Sequence, residues 1–386
     1  MKKQKKKVLL IILAALIAIQ APFIFRRYKI GQLAEKVNEL NRARVPAADD
    51  QFKEYTGIIH AHTNLGGHST GSFEELIAAA NANDLDFVIM TEHWSDAIDT
   101  AALTLNGVYG KSLFIGGNEI DTADSDRFLM IPGSGDAAGL RKMPTTAVLD
   151  KLHAENRLAI VTYPEKFRSW ESDFDGIEVF SLHTNAKKMN PFTAVFDGIW
   201  SFPAYPQLML ATYFKRPDEN LRKFDQIAAK RNISLIVGTD AHSNIGFHLF
   251  GDDAGNDLLG LKLDPYEKIF RLVRQHVLIE KDKPITRENL IEALRAGRSF
   301  IGFDVLGDTT GFRFGQCDID ALCVNSPAES RIALLKDGQK LTEDQGLSLK
   351  YGPFDKGVYR VEVYLDQLGP PFDKMPWIIS NPIYVR

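Results

Sequence analysis

Residues 57–63 read GIIHAHT, a short apolar run that ends in two histidines one residue apart. The run is typical of a buried strand, and the histidines stand at its carboxyl end. Side chains at positions i and i+2 of a strand project from the same face, so both imidazoles can reach one point. Such histidine pairs are often incidental. Whether this pair binds a metal ion therefore depends on the motifs in the rest of the chain.

Apolar runs followed by polar side chains recur as far as residue 242. Five further runs lie at 87–90, 113–115, 158–161, 176–180 and 235–237. Residues with apolar positions at helical spacing lie between them, at 72–83, 145–156 and 219–231. Alternating strands and helices predict an α/β domain whose parallel sheet is covered on both faces. Parallel α/β barrels carry their active sites at the carboxyl ends of the strands.

Candidate metal ligands cluster in the segments that follow these runs. They are His60, His62, His68, His93, Glu119, His183, Asp240 and His242. An isolated carboxylate such as Glu119 is costly to bury, and a bridging metal is one solution. Imidazole and carboxylate donors together suit zinc, iron or manganese better than calcium. The alternatives are a core or capping role for His93 and a surface loop for Glu119.

The composition limits the classes of protein. The chain has 386 residues, of which 45% are apolar and 25% charged, as in a folded globular protein. Its net charge of −4 gives no general attraction to nucleic acid, so we predict no such partner. Cys317 and Cys323 form no CxxC pair, which argues against a cysteine zinc finger. They either form a disulfide that closes a short loop or remain two buried thiols.

The N-terminal segment is the sharpest break in composition. Five lysines within residues 2–7 precede an uncharged stretch at 8–25, which Arg26 and Arg27 terminate. That stretch is about long enough to cross a bilayer as a helix. Pro22 lies just beyond the best candidate cleavage site and is unfavourable there. This favours an uncleaved anchor over a signal peptide. The excess of positive charge before the stretch places the N-terminus in the cytoplasm and the remaining chain outside it.

The pattern divides the chain into four segments. They are a membrane anchor at 1–27, a linker helix at 28–52, an α/β domain at 53–299 and a small β-sandwich at 300–386. Residues 187–218 are rich in aromatic residues and proline and interrupt the alternation. We interpret them as an insertion over one rim of the domain and a candidate substrate lid.

The set of motifs resembles that of the polymerase and histidinol phosphatase (PHP) superfamily of metal-dependent hydrolases, over about residues 56–300. The matching motifs are GIIHAHT at 57–63, TEH at 91–93, GNEID at 117–121 and GTDAH at 238–242. The resemblance implies a distorted (β/α)₇ TIM-like barrel with two or three divalent ions, which would be zinc, manganese or iron.

The resemblance also implies which residues hold the ions. The ligands of the first ion would be His60, His62, Glu119 and Asp240. Those of the second would be His68, His93 and His242. Glu119 would bridge to a middle ion that also uses His183. The implied catalytic residues are Glu119, Asp240 and His242.

Two positions depart from the family pattern. Tyr163, before Pro164, stands where the family usually has a histidine, and Glu92 replaces the usual aspartate before His93. Tyr163 either binds iron or manganese, hydrogen-bonds the substrate, or leaves a two-metal site. Near it, the cationic residues Arg127, Lys166 and Arg168 follow strand ends. They bind an anionic substrate group, with Arg168 as the main candidate, or are solvated loop charges.

These observations predict a metal-dependent hydrolase, most simply a phosphoesterase that uses metal-activated water. A carboxylic-ester or carbamate hydrolase is the alternative, because the C-terminal segment and its entry at 297–299 resemble the carbaryl-type hydrolases of the superfamily. A third reading is a non-catalytic, membrane-anchored binding protein with a degenerate metal site. The expected partners are a small-molecule phosphoester or ester and the membrane; the sequence does not indicate an oligomeric state.

Overall fold

The structure is a computed structural model that describes residues 2–49, 51–244, 246–251 and 257–386. Its helices α1 to α11 are Lys2–Arg42, Phe73–Ala82, Thr100–Leu103, Ala137–Leu140, Thr145–Ala154, Leu182–Ala186, Pro191–Trp200, Pro206–Ala211, Asp218–Ala228, Tyr266–Ile269 and Arg287–Arg295. Its strands β1 to β20 are Phe52–Ala61, Phe87–Met90, Glu92–His93, Gly107–Tyr109, Ser112–Ile115, Asn118–Asp121, Arg127–Ile131, Leu158–Val161, Gly176–Ser181, Ser234–Gly238, Gly246–Gly251, Asp257–Lys262, Arg274–Glu280, Ser299–Gly302, Arg313–Asp318, Ala321–Lys336, Gln339–Tyr351, Gly357–Tyr364, Ile378–Ser380 and Ile383–Val385.

Two large sheets carry most of these strands. The first runs β15-β16-β18-β19-β14-β13-β1-β2-β5-β4, with β17 beside β16 and β20 beside β18. The second runs β10-β9-β8-β7-β6-β3, and β11 pairs with β12 in a separate hairpin. The mixed α/β fold agrees with the sequence, but the closed (β/α)₇ barrel is not confirmed, because both large sheets are open among the described residues. An isolated parallel bridge links Ala61, the last residue of β1, to Ala241, which follows β10.

Strand β2 shows why the parallel strands read as continuous apolar runs. Its residues alternate between two packed clusters, with Val88 and Met90 in one and Phe87 and Ile89 in the other. Successive side chains of a strand point to opposite faces, so a strand covered on both faces needs an apolar residue at every position. The helices predicted at 72–83, 145–156 and 219–231 cover these faces as α2, α5 and α9.

Strand β7 is an element that the sequence pattern did not reveal. It pairs antiparallel with both β6 and β8, and therefore interrupts the parallel order of the second sheet. Arg127 is its first residue and lies opposite Asp121 in β6. The expectation that Arg127 follows a strand end is therefore corrected: it begins a strand.

The C-terminal strands extend the first sheet. Strand β19 pairs antiparallel with β14, with Phe300 opposite Ser380. This pairing supplies partners for backbone groups that an edge strand would leave open. The boundary expected at residue 300, before a separate β-sandwich, thus lies inside one continuous sheet. Cys317 and Cys323 are joined by a disulfide between β15 and β16.

Helix α1 runs without a break from the predicted anchor into the predicted linker and ends at Arg42, before the linker's expected end at residue 52. Among the described residues it is the one helix long and apolar enough to cross a membrane, and its apolar stretch is almost wholly exposed. Its later turns instead pack on the domain, with buried side chains at Ile30, Leu33, Val37 and Leu40. The helix and the α/β domain are therefore one packed unit.

A buried ionic network ties strand β18 to helix α9. Arg360 is 2% exposed and donates to Asp225 at 2.7 and 2.8 Å. Its guanidinium also contacts Glu362, which Arg216 contacts at 2.6 Å. Burial alone would raise the pKa of Glu362, but Arg360 and Arg216 lower it to about 2. Glu362 is therefore ionised in the folded protein at neutral pH.

Replacement of Glu362 tests this network. Glu362→Gln removes the buried carboxylate that both Arg360 and Arg216 contact, so we expect the free energy of unfolding at pH 7 to fall by about 3 kcal/mol. The folded-state pKa lies below the unfolded value of about 4.3, so the contribution is full above that pH and is lost as pH falls toward 2. Denaturant unfolding at pH 7 and 3 measures both effects. Exposed Asp344→Asn is the control, and an equal loss in that variant would contradict the network's role.

Candidate metal centre

Several predicted ligands meet where the carboxyl end of β1, in the first sheet, adjoins the second sheet. His60 lies near the end of β1, His93 is in β3, and Glu119 is in β6. His183 follows β9, and Asp240 follows β10. Four of these side chains thus lie at or just after the carboxyl ends of strands, whereas Glu119 is the second residue of β6.

Three residues of the site have left-handed backbone conformations. The φ angles are 70° at His60, 51° at Tyr163 and 50° at Asp240. Each costs a non-glycine residue about 1–3 kcal/mol, and such strain concentrates at functional sites. The register of β1 against β2 also shifts between Ile59 and Ala61, which marks a bulge at His60. A bulge re-aims a side chain, so the bulge as well as the i, i+2 spacing of a regular strand positions this pair.

Four buried atoms form the central group. They are His60 Nε2, His62 Nε2, Glu119 Oε2 and Asp240 Oδ1, and each lacks a hydrogen-bond partner. Each imidazole nitrogen lies 3.4–3.5 Å from each carboxylate oxygen. Ligand atoms bound at about 2.0–2.2 Å around a tetrahedral ion are separated by about 3.3–3.6 Å. The donor set and its spacing therefore fit a divalent cation.

Two histidines are oriented by partners on their other ring nitrogen. His60 Nδ1 donates to Glu178 Oε2 at 2.9 Å, and Glu178 also accepts from the Thr162 hydroxyl. His242 Nδ1 donates to the backbone oxygen of Asp240 at 2.9 Å. A hydrogen bond at Nδ1 fixes the ring and leaves Nε2 as the free ligand atom, as is usual for metal-binding histidines.

Glu178 is a functional candidate that the sequence reading missed. It lies inside the apolar run of β9 and is fully buried against His60. A single carboxylate in a buried strand was the available signal, because such a charge requires a partner. Gly238 belongs to the same arrangement: a Cβ atom there would lie 2.1 Å from Glu178 Oε1. The glycine of the GTDAH motif therefore makes room for this carboxylate.

The carboxylates set the charge of the site. Burial disfavours the protonated form of His60, yet Glu178 and Asp240 raise its pKa well above the ordinary value. Burial lowers the pKa of His62 to about 3. It also lowers the pKa values of His93 and His183. Neutral imidazoles are the form that metals bind. The buried carboxylates, by contrast, favour a positive charge at the centre.

Two further groups of donors adjoin the central one. One consists of His62, His93 and His242, and the other of His183, Asp240 and His242. His183 is thus grouped with Asp240, whereas the resemblance implied Glu119. His68 is exposed in the turn before α2, and its ring centroid lies 4.8 Å from that of His93. The structure therefore places His68 beside the group of His62, His93 and His242, and its role as a ligand of the second ion stays a prediction.

Tyr163 contacts a predicted ligand directly. Its hydroxyl donates to Asp240 Oδ2 at 2.7 Å, which leaves Oδ1 directed at the central group. Burial, and then the charge of Asp240, raise the pKa of Tyr163 above its ordinary value. The hydroxyl therefore keeps its proton and orients the carboxylate.

Cationic side chains surround the Tyr163 ring. Arg127, Lys166 and Lys187 lie 5.2, 5.8 and 6.0 Å from its centroid. Arg127 also donates to Glu119 Oε1 at 3.1 Å. Arg168, by contrast, is exposed, and its backbone amide donates to Asp126. The structure therefore brings Arg127, Lys166 and Lys187 to the Tyr163 ring, and the role of Arg168 in substrate binding stays a prediction.

Glu92 supports the site from behind. It accepts hydrogen bonds from the backbone amide and hydroxyl of Thr63 and from the hydroxyl of Thr104. Burial raises its pKa despite these bonds. Glu92 thus fixes the backbone that follows His62, a structural role for the residue that replaces the family's usual aspartate.

A cavity of about 390 Å³ opens beside the centre. His183, Asp240 and His242 line one side of it. The segment from α6 to α8 forms much of the other side, through apolar residues that include Leu182, Met189, Ala194, Leu210 and Phe214. The insertion predicted at 187–218 is therefore a wall of this cavity.

Comparisons with known proteins give structural matches only. No family model matches the chain, and no curated protein matches it. A two-domain protein from Bacteroides vulgatus, containing a predicted PHP-like metal-dependent phosphoesterase, is 13% identical with a TM-score of 0.41, over 89% of this chain and 97% of that one. PsfC from Pseudomonas syringae is 12% identical with a TM-score of 0.38, over 66% and 94%. The lesion-specific endonuclease PfuEndoQ from Pyrococcus furiosus is 9% identical with a TM-score of 0.37, over 63% and 56%.

The contact between His60 and Glu178 can be tested by metal binding. Glu178→Gln weakens the orientation of the His60 ring, so we expect the affinity for Zn²⁺ or Mn²⁺ to fall about 10- to 100-fold. Calorimetric titration of chelator-treated protein measures it. Exposed Glu171→Gln provides the matched control. Equal affinity in the two variants would show that Glu178 has no part in metal binding.

Proposed function

We propose that the chain is a metal-dependent hydrolase of the PHP type that acts on phosphoesters. The observation that carries the proposal is the convergence of four buried, partnerless donor atoms from His60, His62, Glu119 and Asp240. Buried polar atoms without partners are rare in proteins, and a cation supplies the missing interaction for all four together. The nitrogen and oxygen donors suit zinc, manganese or iron, with two or three ions per chain.

The bound ions would supply the hydroxide at neutral pH and stabilise charge on the substrate's oxygens. The chain's own residues position the parts. Tyr163 holds Asp240, and Glu178 holds His60. Arg127 and Lys187 add positive charge beside the centre, where the non-bridging oxygens of a phosphoester require it. We assign the catalytic role to Glu119, Asp240 and His242, the last of which lines the cavity.

A carboxylic-ester or carbamate substrate is the second candidate. The observation in its favour is the apolar wall of the cavity, which suits an uncharged substrate. The cations around Tyr163 favour a phosphoester instead. Membership of the carbaryl-type subgroup stays a prediction. The hypothesis of a non-catalytic binding protein with a degenerate metal site also stays a prediction, and the four unpaired donor atoms argue against it.

Hydrolysis assays on the purified full-length protein separate these readings. We expect turnover of aryl phosphate mono- or diesters, its loss on chelation, and recovery with Zn²⁺, Mn²⁺ or Fe²⁺. Asp240→Asn is expected to lower kcat/KM at least about 100-fold, because it removes a ligand charge. The exposed Asp282→Asn serves as its control.

The other outcomes of this assay are equally informative. Metal-dependent turnover of aryl esters alone would support the second candidate. No metal-dependent turnover of either class would contradict the enzyme and favour a binding protein. Metal analysis of the same preparation tests Tyr163, since three ions per chain would show that this residue does not abolish the middle site.

We further propose that α1 anchors the protein and that the hydrolytic domain lies outside the cytoplasm. The exposed apolar stretch of α1 supports the anchor. The disulfide between Cys317 and Cys323 suits an oxidising compartment.

Reporter fusions test this topology. A C-terminal alkaline phosphatase fusion is expected to be active and a C-terminal green fluorescent protein fusion dark, with both in the membrane fraction after alkaline extraction. The reverse pattern would contradict the orientation. Release of a shortened chain would show a cleaved signal peptide.

A further inference from the structure

Helix α7, which helps to form the cavity, also packs on the apolar stretch of α1. Trp200 Nε1 donates to Gln20 Oε1 at 2.9 Å. Phe196 stacks on the buried Phe23, with ring centroids 4.8 Å apart. These contacts lie near the C-terminal end of the stretch at 8–25. The cavity wall therefore adjoins the end of the segment that is suited to a membrane.

An ion pair locks this arrangement. Asp197 of α7 is fully buried, and Arg26 of α1 donates to it at 2.9 and 2.6 Å. Tyr213, which lines the cavity, donates to the same carboxylate. Separation of Arg26 from Asp197 would leave a buried carboxylate without its counter-charge, which is strongly unfavourable. The contacts among Arg26, Asp197 and Tyr213 therefore hold α1, α7 and the cavity wall together.

The outer face of α7 is apolar and exposed. Phe192, Val195 and Ile199 are 59%, 45% and 59% exposed and follow helical spacing along one stripe. The stripe adjoins α1, because the ring of Phe192 lies 6.1 Å from that of Phe23 in the apolar stretch of α1, whose other side chains are mostly exposed. A continuous apolar surface of this kind is unfavourable in water and marks a contact site. Its continuity with α1 identifies the lipid bilayer as the occupant.

The inner side of α7 faces a cavity whose lining is mostly apolar. Pro191 and Ala194 of α7 contribute to the apolar lining. His183, Asp240 and Lys187 also line the cavity, and Lys187 lies 6.0 Å from the ring of Tyr163, which holds Asp240, so these polar groups belong to the part beside the metal centre. A volume near 390 Å³ lies within the usual range of small-molecule sites, about 300–1,000 Å³. The part beside the metal centre thus suits an anionic head group and the remainder an alkyl chain.

We infer that the substrate is an amphiphilic phosphoester taken from the membrane, whose alkyl chain occupies this cavity while its phosphate lies at the metal centre. The inference rests on the proposed hydrolase function and names its substrate class. In the reaction a water oxygen bonds to phosphorus and the P–O ester bond breaks. The leaving oxygen takes a proton, so the products are an alcohol and a phosphate.

A series of substrates with increasing chain length tests the cavity. The full-length protein in lipid nanodiscs is assayed with alkyl 4-nitrophenyl phosphodiesters of increasing length. Burial of each methylene group is expected to raise kcat/KM about three- to fourfold until the cavity is filled. A flat series with continuing hydrolysis of the ethyl ester overturns the inference and leaves the hydrolase function intact.

A binding measurement keeps the inference testable without turnover. Alkylphosphonates of the same lengths are titrated into chelator-treated protein, with empty nanodiscs as the blank. Affinity is expected to rise with chain length by a similar factor for each methylene group. If no ester is hydrolysed, the proposed function fails, and an affinity independent of chain length overturns the substrate class as well.

A cavity-filling variant locates the alkyl chain. In Ala194→Phe the ratio of kcat/KM for the decyl ester to that for the ethyl ester is expected to fall at least about tenfold. The same change at Ala229, the exposed residue that follows α9, is the control. An unchanged ratio in Ala194→Phe would place the chain outside this cavity.

The membrane contact is tested on the outer face of α7. Val195→Glu combined with Ile199→Glu places charge on the stripe. Turnover of a long-chain ester embedded in the bilayer, relative to the soluble ethyl ester, is expected to fall at least about tenfold. An unchanged ratio would overturn delivery from the membrane and indicate a soluble amphiphile as the source.

Discussion

The requirement for positive charge among three buried carboxylates governs the centre of this protein. Glu119, Glu178 and Asp240 are at most 2% exposed, and such a concentration of negative charge is unstable without a cation or a bound proton. The strained backbone at His60 and Asp240 directs their side chains to the shared point. The fold holds this strain because His60 lies in a strand packed in the core and Asp240 follows another. The buried charges and the strain both lower the stability of the centre, and a bound cation would offset the cost of the charges.

The centre lies at the junction of the two sheets. The chain passes from the first sheet to the second between β2 and β3. The bridge between Ala61 and Ala241 links the two sheets at a second point. Hydrogen bonds from Thr239 to the backbone oxygens of Ile59 and His60 secure the same place. This junction of two open sheets brings the donor residues in or after β1, β6, β9 and β10 together without a closed barrel.

Local spacing was sufficient to predict the ligand-bearing strand ends and the helices between them. It worked because strands covered on both faces are predominantly apolar and because residues that follow parallel strands lie at one edge of the sheet. It failed where tertiary register decides. The antiparallel strand β7 and the pairing of β19 with β14 depend on which distant segments meet. Glu178 was hidden for a different reason, since the apolar run around it disguises a single carboxylate as part of the core.

The unbroken course of α1 fixes the orientation of the α/β domain relative to this helix. A flexible tether would let a domain turn freely. A helix packed on the domain and joined to α7 through Arg26 and Asp197 permits no such freedom. Residues 26–42 rise about 25 Å at 1.5 Å per residue, so an anchor formed by α1, as proposed above, would hold the candidate metal centre at a constant height and facing. The search for a substrate in the membrane would then be two-dimensional, with an encounter rate that scales with the number of target molecules per unit of membrane area.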